Sequence, residues 1–372
     1  MQFKTLLLNK LKTNNKQIKF ANMESTREQK NKQVAIWLMI GVGMLIVQIL
    51  IGGVTRLTGS GLSITEWKPI LGLIPPTNET QWNQAFQMYQ EKTGQFKYLN
   101  SDFTMAQFKF IYFWEWFHRA WARFIGVVFL IPFFYFIYKK AFYKEISIKL
   151  FALFLLGVGQ GLIGWIMVKS GLNDDNLYVS HIRLAVHFIS ALILVSFTFW
   201  FALTLMIPKN KISNNIRLKN ILVFILIILA VQFTYGAFMA GLKAATAATT
   251  WPSINGEYLP STLGNGDFIY DKINIHFIHR TIAYLLLVLI TYFTIVARKY
   301  KESELFNRFK YYPLFLVIVQ IIIGIFTILK ANNTVRNGFG TFETLAQIHQ
   351  ITPMFLMLSI LLLIYFIKGE RN

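Results

Sequence analysis

The chain has 372 residues, of which 55% are hydrophobic and 35 are phenylalanine, and its net charge is +20. A soluble domain is closer to about 45–50% apolar, so the composition favours an integral membrane protein. The chain contains no cysteine, which excludes disulfides, cysteine-ligated metals and thiol catalysis. Any bound metal must therefore use the six histidines, methionine or carboxylates as ligands.

The positive charge lies in short clusters. Lys and Arg are found between long apolar runs rather than along one continuous basic face. Such clusters are typical of the loops that flank membrane spans, so the charge does not indicate nucleic-acid binding. The lipid bilayer is the expected partner, and no nucleic acid is expected.

Eight apolar stretches have the length of a membrane crossing, which takes about 20 residues. They cover approximately residues 34–54, 110–138, 148–168, 181–207, 219–240, 274–298, 311–330 and 344–367. The chain is therefore predicted to be an all-α integral membrane protein. Residues 1–33 are predicted to form a basic cytoplasmic tail and 368–372 a second short tail. Glu24 and Glu28 disfavour a mitochondrial presequence.

The distribution of Lys and Arg predicts the orientation of the spans. The two tails, together with the loops on their side of the membrane, hold 23 of the 37 cations, whereas the longer opposite loops hold ten. The positive-inside rule therefore places both termini in the cytoplasm or matrix. The first opposite loop, about 55–109, contains an amphipathic run near Trp82, Phe86 and Tyr89 that is expected to rest on the outer membrane interface.

The sequence repeats itself. Four pairs align at an offset of 184 residues: Gln48–Gln232, Gly52–Gly236, Trp67–Trp251 and Pro76–Pro260. Five later pairs align at offsets of 160 to 162 residues: His118–His279, Arg119–Arg280, Gln160–Gln320, Gly164–Gly324 and His187–His349. Two pseudo-symmetric four-helix bundles are therefore predicted, over 34–207 and 219–367, joined by a cytoplasmic linker at 208–218. Because each unit has an even number of spans, the two share one orientation, related by an axis along the membrane normal.

A Gln-x-x-x-Gly pattern recurs in the odd-numbered spans. It begins at Gln48, Gln160, Gln232 and Gln320. Glycine permits close helix approach in membranes, and glutamine can hydrogen-bond across a helix pair. We interpret the pattern as a helix-packing motif.

Four histidines occupy matching positions in the two units. Each unit contributes one from its second span and one from its fourth, pairing His118 with His187 and His279 with His349. All four lie within about two turns of the outer end of their span, roughly 8–12 Å deep. Facing imidazoles inside a helix bundle are the ligands of bis-histidine haem. Two haem sites are therefore predicted.

Three arginines accompany these histidines. Arg119 and Arg280 directly follow the second-span histidines, and Arg183 lies one turn before His187. A guanidinium near the outer surface is a suitable partner for a haem propionate. The alternative is that these side chains extend to the membrane interface.

One acidic residue breaks the repeat. Glu115 precedes His118 by three residues and Arg119 by four, so it shares a helix face with both, and ionisable residues inside a span mark functional sites by default. Its counterpart in the second unit is His276. Two sites that only carry electrons have no need of a carboxylate in one of them, so the asymmetry predicts a catalytic site beside a supporting one. His181, at the edge of its span, is interpreted as a surface residue.

Several motifs are recognisable together. They are GGVTRLTGSGLSITEWKPILGLIPP at 52–76, EWFHR at 115–119, RLAVH at 183–187, HR at 279–280 and HQ at 349–350. With them, residues 34–367 resemble the haem A synthases of the mitochondrial and proteobacterial kind. The resemblance implies that the protein oxidises the C8 methyl of haem O to a formyl group by successive hydroxylations and so makes haem A for cytochrome oxidase.

The resemblance also implies roles for the site residues. His118 and His187 match the histidines associated with the substrate haem, and His279 and His349 match those associated with a permanent haem b. Glu115 matches the acidic residue beside the first histidine. As a hypothesis, Glu115 moves protons or stabilises a cationic intermediate near the methyl group.

Other functions stay open at this point. A di-haem b electron-transfer protein of the quinol oxidoreductase type would share the histidines but not the difference between Glu115 and His276. A transporter with parallel repeats would place its charged residues nearer the midplane. A haem O synthase, an electron donor and a second copy of the chain are candidate partners without a motif. A bacterial plasma membrane is favoured over a mitochondrial inner membrane.

Overall fold

The computed structural model describes residues 2–66, 71–139, 144–172, 177–208, 212–336 and 338–367, with side chains from residue 27 onward apart from Leu71 and Lys144. Within these ranges the chain is helical and contains no β-strand. The predicted tail at 368–372 and Trp67, one of the residues of the internal repeat, lie outside the described residues.

Eleven α-helices are described. They are α1 (Gln2–Leu57), α2 (Glu79–Lys92), α3 (Gly94–Leu99), α4 (Met105–Tyr138), α5 (Lys144–Lys169), α6 (His181–Met206), α7 (Ile216–Gly241), α8 (Lys272–Arg298), α9 (Glu304–Phe309), α10 (Tyr312–Leu329) and α11 (Thr341–Phe366). Eight described segments are long and apolar enough to cross a membrane. They are Arg27–Leu57, Met105–Tyr138, Glu145–Lys169, His181–Met206, Ile216–Gly241, Lys272–Arg298, Glu304–Leu329 and Thr341–Phe366. The prediction of eight spans is confirmed.

Side-chain caps set where several spans begin. Thr104 accepts a hydrogen bond from the Gln107 amide, and the Gln107 side chain accepts one from the Thr104 amide, forming a capping box. This box starts α4 five residues before the predicted boundary, since polar residues of its first turn were assigned to the loop. Asn215 and Asp271 cap α7 and α8 with a single side-chain hydrogen bond each, accepting from the amides of Leu218 and Asn274.

Packing within the two halves shares one pattern, with the difference that α10 also packs against α8 whereas α5 makes no comparable contact with α4. In the first half α1 packs against α4 and α6, and α5 packs against α6; in the second, α7 packs against α8 and α11, and α10 packs against α11. In both, the first span contacts the second and fourth, and the third contacts the fourth. The arrangement is consistent with the predicted repeat.

A continuous apolar core joins the halves. Side chains of α1, α6, α7, α8, α10 and α11 belong to one buried cluster, and the rings of Phe188 and Phe233 meet edge to face at 5.9 Å across it. On the opposite side, Gln347 and Gln350 of α11 donate to backbone carbonyls of α1 at 3.1 Å. A Cβ on Gly53 would lie 2.5 Å from the Gln347 oxygen, so a larger residue there would displace these glutamine side chains.

The first outer loop folds back on its own half. Tyr89 of α2 is fully buried and stacks on Phe108 of α4 at 5.4 Å, while Trp82 meets Tyr112 edge to face at 5.1 Å. The amphipathic run predicted to rest on the membrane interface therefore packs on the outer end of α4.

An ion pair connects the outer loops of the two halves. Arg336, between α10 and α11, contacts both oxygens of Asp102 at 2.6 and 3.0 Å, and these hydrogen bonds lower the pKa of the Asp102 carboxyl. Arg336 also donates to the Leu99 carbonyl. The loop at 99–102 is thereby fastened to the second half.

Candidate functional site

The four predicted histidines line one cavity. Its volume is about 1660 Å³, and side chains of all eight spans contribute to its wall. Cavities that hold a single small ligand are roughly 300–1,000 Å³. The cavity is therefore large enough for more than one ligand of that size.

One histidine pair has the spacing of two ligands on a single metal. The ring centroids of His279 and His349 lie 6.3 Å apart, with an angle of 71° between the ring planes. Metal–imidazole bonds of about 2 Å place two opposed rings at about this separation. The donor set of imidazoles without thiolate also suits bis-histidine haem, so these residues fit the predicted group.

Each of the four histidines contacts a glutamine of the preceding span. The pairs, with the shortest distance from the amide nitrogen to a ring nitrogen, are Gln48–His118 at 3.2 Å, Gln160–His187 at 3.2 Å, Gln232–His279 at 3.5 Å and Gln320–His349 at 3.0 Å. In every pair except Gln232–His279, the same nitrogen donates to the backbone carbonyl of the histidine at 2.9–3.2 Å.

The glycines of the same pattern face the imidazole rings. A Cβ would lie 2.9 Å from Cε1 of His118 at Gly52, 2.8 Å from that of His187 at Gly164, 3.4 Å from that of His279 at Gly236 and 2.8 Å from that of His349 at Gly324. The predicted glutamine hydrogen bond across a helix pair is confirmed. Its target, which sequence reasoning missed, is the candidate ligand itself.

Glu115 is buried and fully engaged. It is 3% exposed, and its Oε2 accepts hydrogen bonds from the Ser63 amide and hydroxyl, both at 2.7 Å, and from the Ile64 amide at 2.9 Å. Its Oε1 pairs with Arg119 at 2.5 Å. Glu115 lines the cavity and at the same time ties the first outer loop to α4.

The second half also contains a buried carboxylate. Glu343 of α11 is 2% exposed, lines the cavity and accepts hydrogen bonds from the amides of Val335 and Gly340, both at 2.9 Å. Its counterpart under the repeat is His181 rather than Glu115. Both halves therefore contain a buried carboxylate, but Glu115 lies on the second span of its half and Glu343 on the fourth. Aligning the second spans alone did not reveal Glu343.

The three predicted arginines differ in placement. Arg119 pairs with Glu115 and lines the cavity, whereas Arg183 is exposed, donates to the Ile166 carbonyl at 3.0 Å and is not among the lining residues. Arg280 lines the cavity and donates to carbonyls of the loop between α7 and α8, residues 242–271, which we call the third outer loop. The carbonyls are those of Ala248, Thr250, Pro252 and Ser253, at 2.8–3.5 Å. Arg280 thus fastens the third outer loop to α8, as Glu115 fastens the first outer loop to α4.

The two remaining histidines lie outside the cavity wall. His276 is fully buried in α8. The interpretation of His181 as a surface residue is wrong, because it is only 8% exposed. The third outer loop covers it: the His181 Nε2 atom lies 3.0 Å from the Ile269 carbonyl, and its ring packs edge-on against Tyr270 at 5.1 Å.

Cations outnumber carboxylates on the cavity wall. The lining cations are Arg56, Arg119, Arg123, Lys169, Lys243, Arg280 and Arg336, and the lining carboxylates are Glu66, Glu115 and Glu343. Sequence reasoning assigned Arg56 to the outer loop only. Its Nη1 donates to the Ala240 carbonyl at 3.2 Å, and its buried Nε has no hydrogen-bond partner among the described residues. The excess of positive charge suits an anionic ligand.

Comparison with known proteins gives the family. Residues 35–361 match the COX15-CtaA model, described as cytochrome oxidase assembly protein. The chain is 36% identical over 341 residues to the haem A synthase of Flavobacterium johnsoniae, covering 89% of this chain and 96% of the relative. It is 38% identical over 306 residues to that of Nitrosospira multiformis, covering 80% and 85%, and 36% identical over 344 residues to that of Pelagibacter ubique, covering 90% and 96%. The chain belongs to the COX15-CtaA family of cytochrome oxidase assembly proteins.

Proposed function

We propose that this chain is a haem A synthase, an enzyme that oxidises the C8 methyl of haem O to a formyl group and so makes haem A for cytochrome oxidase. The observation that carries the proposal is the meeting of four histidines, two from each half, in one cavity. The family match over 35–361 supports it. Together they favour this activity over quinol oxidation.

The two histidine pairs take different haems in this proposal. His279 and His349 hold a resident haem b, supported by their ring separation of 6.3 Å. His118 and His187 hold haem O and then its product. When bound, haem supplies the oxidising chemistry that amino-acid side chains lack. The protein supplies ligands, orientation and charge.

Glu115 is the proposed proton-handling residue of the substrate site. It lines the same cavity as His118 and lies on the same face of α4, one turn before it. Its carboxylate is held by the loop amides and by Arg119, so it keeps a fixed position at the wall. A fixed carboxylate can exchange protons with a bound substrate without prior rearrangement.

Arg56 is the proposed partner of a haem propionate, beside the sequence-predicted Arg119 and Arg280; Arg183, outside the cavity, has the least support. Arg119 is already neutralised by Glu115, and both Nη atoms of Arg280 are bonded to loop carbonyls. The guanidinium of Arg56 has no carboxylate partner among the described residues. A buried cation without a counter-ion is unfavourable, and a propionate would provide one.

Arg56→Met should lower the affinity for haem by about 10- to 100-fold, because a hydrogen bond to a charged group contributes roughly 1.5–3 kcal/mol. Haem content per purified protein, measured at limiting haem supply, checks this expectation. Arg56→Lys is the matched control, since it retains the charge and should lose less. Equal haem content in Arg56→Met and the unmodified protein would contradict the assignment.

The membrane setting is proposed in finer detail. Both termini face the cytoplasm of a bacterium and the haem sites lie in the outer half of its plasma membrane, supported by the distribution of cations and by the bacterial source of the relatives. Haem O reaches the cavity either laterally from the bilayer or from a haem O synthase. Electrons come from a separate donor, and a homo-oligomer is compatible with this arrangement.

Co-expression with a source of haem O, in a bacterial host that lacks its own haem A synthase, tests the activity. Haems extracted from the membranes are separated by chromatography, and haem A is expected only when this chain is present. The same membranes should show a low-spin haem b spectrum. Haem b without haem A, together with quinol oxidation, would instead identify a di-haem electron-transfer protein.

A further inference from the structure

We infer that the Gln-x-x-x-Gly pattern of the odd-numbered spans forms four sockets, each of which fixes the orientation of one haem-ligating imidazole. The inference rests on the proposed function, because it takes the four histidines as haem ligands. It assigns the glutamines and glycines as positioning residues that act through the histidines rather than on the haem.

A similar contact occurs four times in one chain, with the amide nitrogen nearest Nδ1 of His118, His187 and His349 and nearest Nε2 of His279. In each case a span carrying glutamine and glycine faces the histidine of the next span, with the glutamine amide beside one edge of the ring and the glycine opposite Cε1. A packing motif alone requires small residues at the helix crossing. A packing motif does not require that the glutamine and the glycine contact a candidate ligand at every occurrence.

The glycine of the socket leaves no room for a larger residue. At Gly324 a Cβ would lie 2.8 Å from Cε1 of His349 and 3.3 Å from its Nδ1, closer than non-bonded carbon atoms pack. The ring would have to move by several tenths of an ångström, whereas metal–ligand distances are fixed to about 0.2 Å. Socket glycines therefore set how far the imidazole can swing away from the metal.

The glutamine restrains the same residue through its backbone. Gln320 donates to the backbone carbonyl of His349 at 2.9 Å, and its amide nitrogen lies 3.0 Å from Nδ1 of the ring. The bond to the backbone carbonyl fixes the amide group against the ring, and this contact limits rotation about the side-chain torsions of the histidine. Outer-shell partners of metal ligands commonly change affinity by about 10–100-fold when they are removed.

The sockets are not equally tight. Ser190 donates to Oε1 of Gln160 at 2.6 Å, whereas the corresponding oxygens of Gln48, Gln232 and Gln320 are buried without a hydrogen-bond partner among the described residues. Gln160 is therefore held at both ends of its amide. The socket of His279 is the loosest, with a glutamine contact of 3.5 Å and a glycine clearance of 3.4 Å.

The test uses the resident haem site and reads the ligand field rather than activity. Gly324→Ala and Gln320→Leu are purified with haem b, and their electron paramagnetic resonance and absorption spectra are recorded. Both variants should shift the low-spin signal, because the signal depends on the angle between the ligand planes, and should lower haem b content by roughly 10–100-fold at limiting supply. Gln320→Leu keeps the inference testable if Gly324→Ala does not fold.

Matched controls separate socket residues from helix packing in general. Gly159→Ala is placed on α5, where a Cβ would meet nothing within 4 Å. Gln347→Leu removes an interhelical glutamine bond, that to the Leu50 carbonyl, without touching a candidate ligand. Both controls should retain the low-spin signal of the unmodified protein.

The outcomes distinguish the socket from the activity. A low-spin signal unchanged in both Gly324→Ala and Gln320→Leu overturns the sockets, even if the unmodified chain makes haem A. A signal shifted in these variants and not in the controls supports the sockets, even if the unmodified chain makes no haem A. In that second case only the proposed activity would fail.

Discussion

Replacing His349 with alanine should leave the purified protein without its low-spin haem b. The His279 and His349 rings have the separation of two ligands on one metal, and the remaining His279 sits in the loosest socket. Losing a ligand should cost more than the roughly 10–100-fold that loss of an outer-shell partner costs. Haem b content and the absorption spectrum of the purified protein measure the effect.

The corresponding change in the first half should separate the two sites. His118→Ala should abolish haem A formation while the low-spin haem b spectrum remains. His181→Ala is the control, since this buried histidine lies outside the cavity wall. Loss of haem b from His118→Ala but not from His349→Ala would reverse the assignment of the halves.

Replacing Glu115 with glutamine should lower haem A formation by about 100-fold or more, the size of effect expected when a positioned proton-transfer group is lost. The glutamine has nearly the same shape and can still accept a hydrogen bond from the Ser63 amide, but it cannot ionise or neutralise Arg119. Chromatography of extracted haems measures product, and retained haem b content shows that the fold is intact.

Glu343→Gln is the matched control for this experiment. Glu343 is also a buried carboxylate that lines the cavity and accepts hydrogen bonds from loop amides, but it lies on α11. It should retain haem A formation. Unchanged product from Glu115→Gln would disprove the proton-handling role, and an equal loss in both variants would reduce Glu115 to a loop anchor.

Ser63→Ala distinguishes the anchoring of Glu115 from its charge. It removes one hydrogen bond to Oε2 and leaves both the carboxylate and Arg119 in place. If ionisation of Glu115 is what matters, this variant should make haem A at a rate much nearer that of the unmodified protein. Comparing Ser63→Ala with Glu115→Gln requires no other substitution in the cavity.

The spans and the candidate ligands were predictable because their signals lie along the helices. Apolar length marks each span, and an ionisable group inside a span is costly enough to stand out. The repeat then paired His118 with His279 and His187 with His349. The repeat predicted two matched pairs of histidines, and the structure adds that all four line one cavity wall.

Contacts made by loops were not predictable in the same way. Arg280 is bonded to the carbonyls of a loop about 30 residues before it, and His181 is covered by Ile269 and Tyr270. Neither contact leaves a periodic signal, because it depends on how a loop folds back over the end of a span. Arg56 was assigned to a loop for a different reason, because the first span was predicted to end at residue 54 whereas α1 continues to Leu57.

The Gln-x-x-x-Gly pattern lies between these two cases. Its recurrence was visible in the sequence, and its hydrogen-bonding potential followed from residue type. The partner of each glutamine depends on the rotation of one helix against the next, which the spacing within a single span does not determine. Only the folded arrangement shows that this rotation points the pattern at the histidines.

The glutamine bonds between α11 and α1 bear on how such a protein could have arisen. Lipid offers no donors or acceptors, so a single four-helix half in a bilayer would leave the amides of Gln347 and Gln350 facing hydrocarbon. A second copy of that half, placed against the same surface, would supply backbone carbonyls as α1 does here. A pair of identical halves would therefore satisfy these amides within the membrane before fusion into one chain.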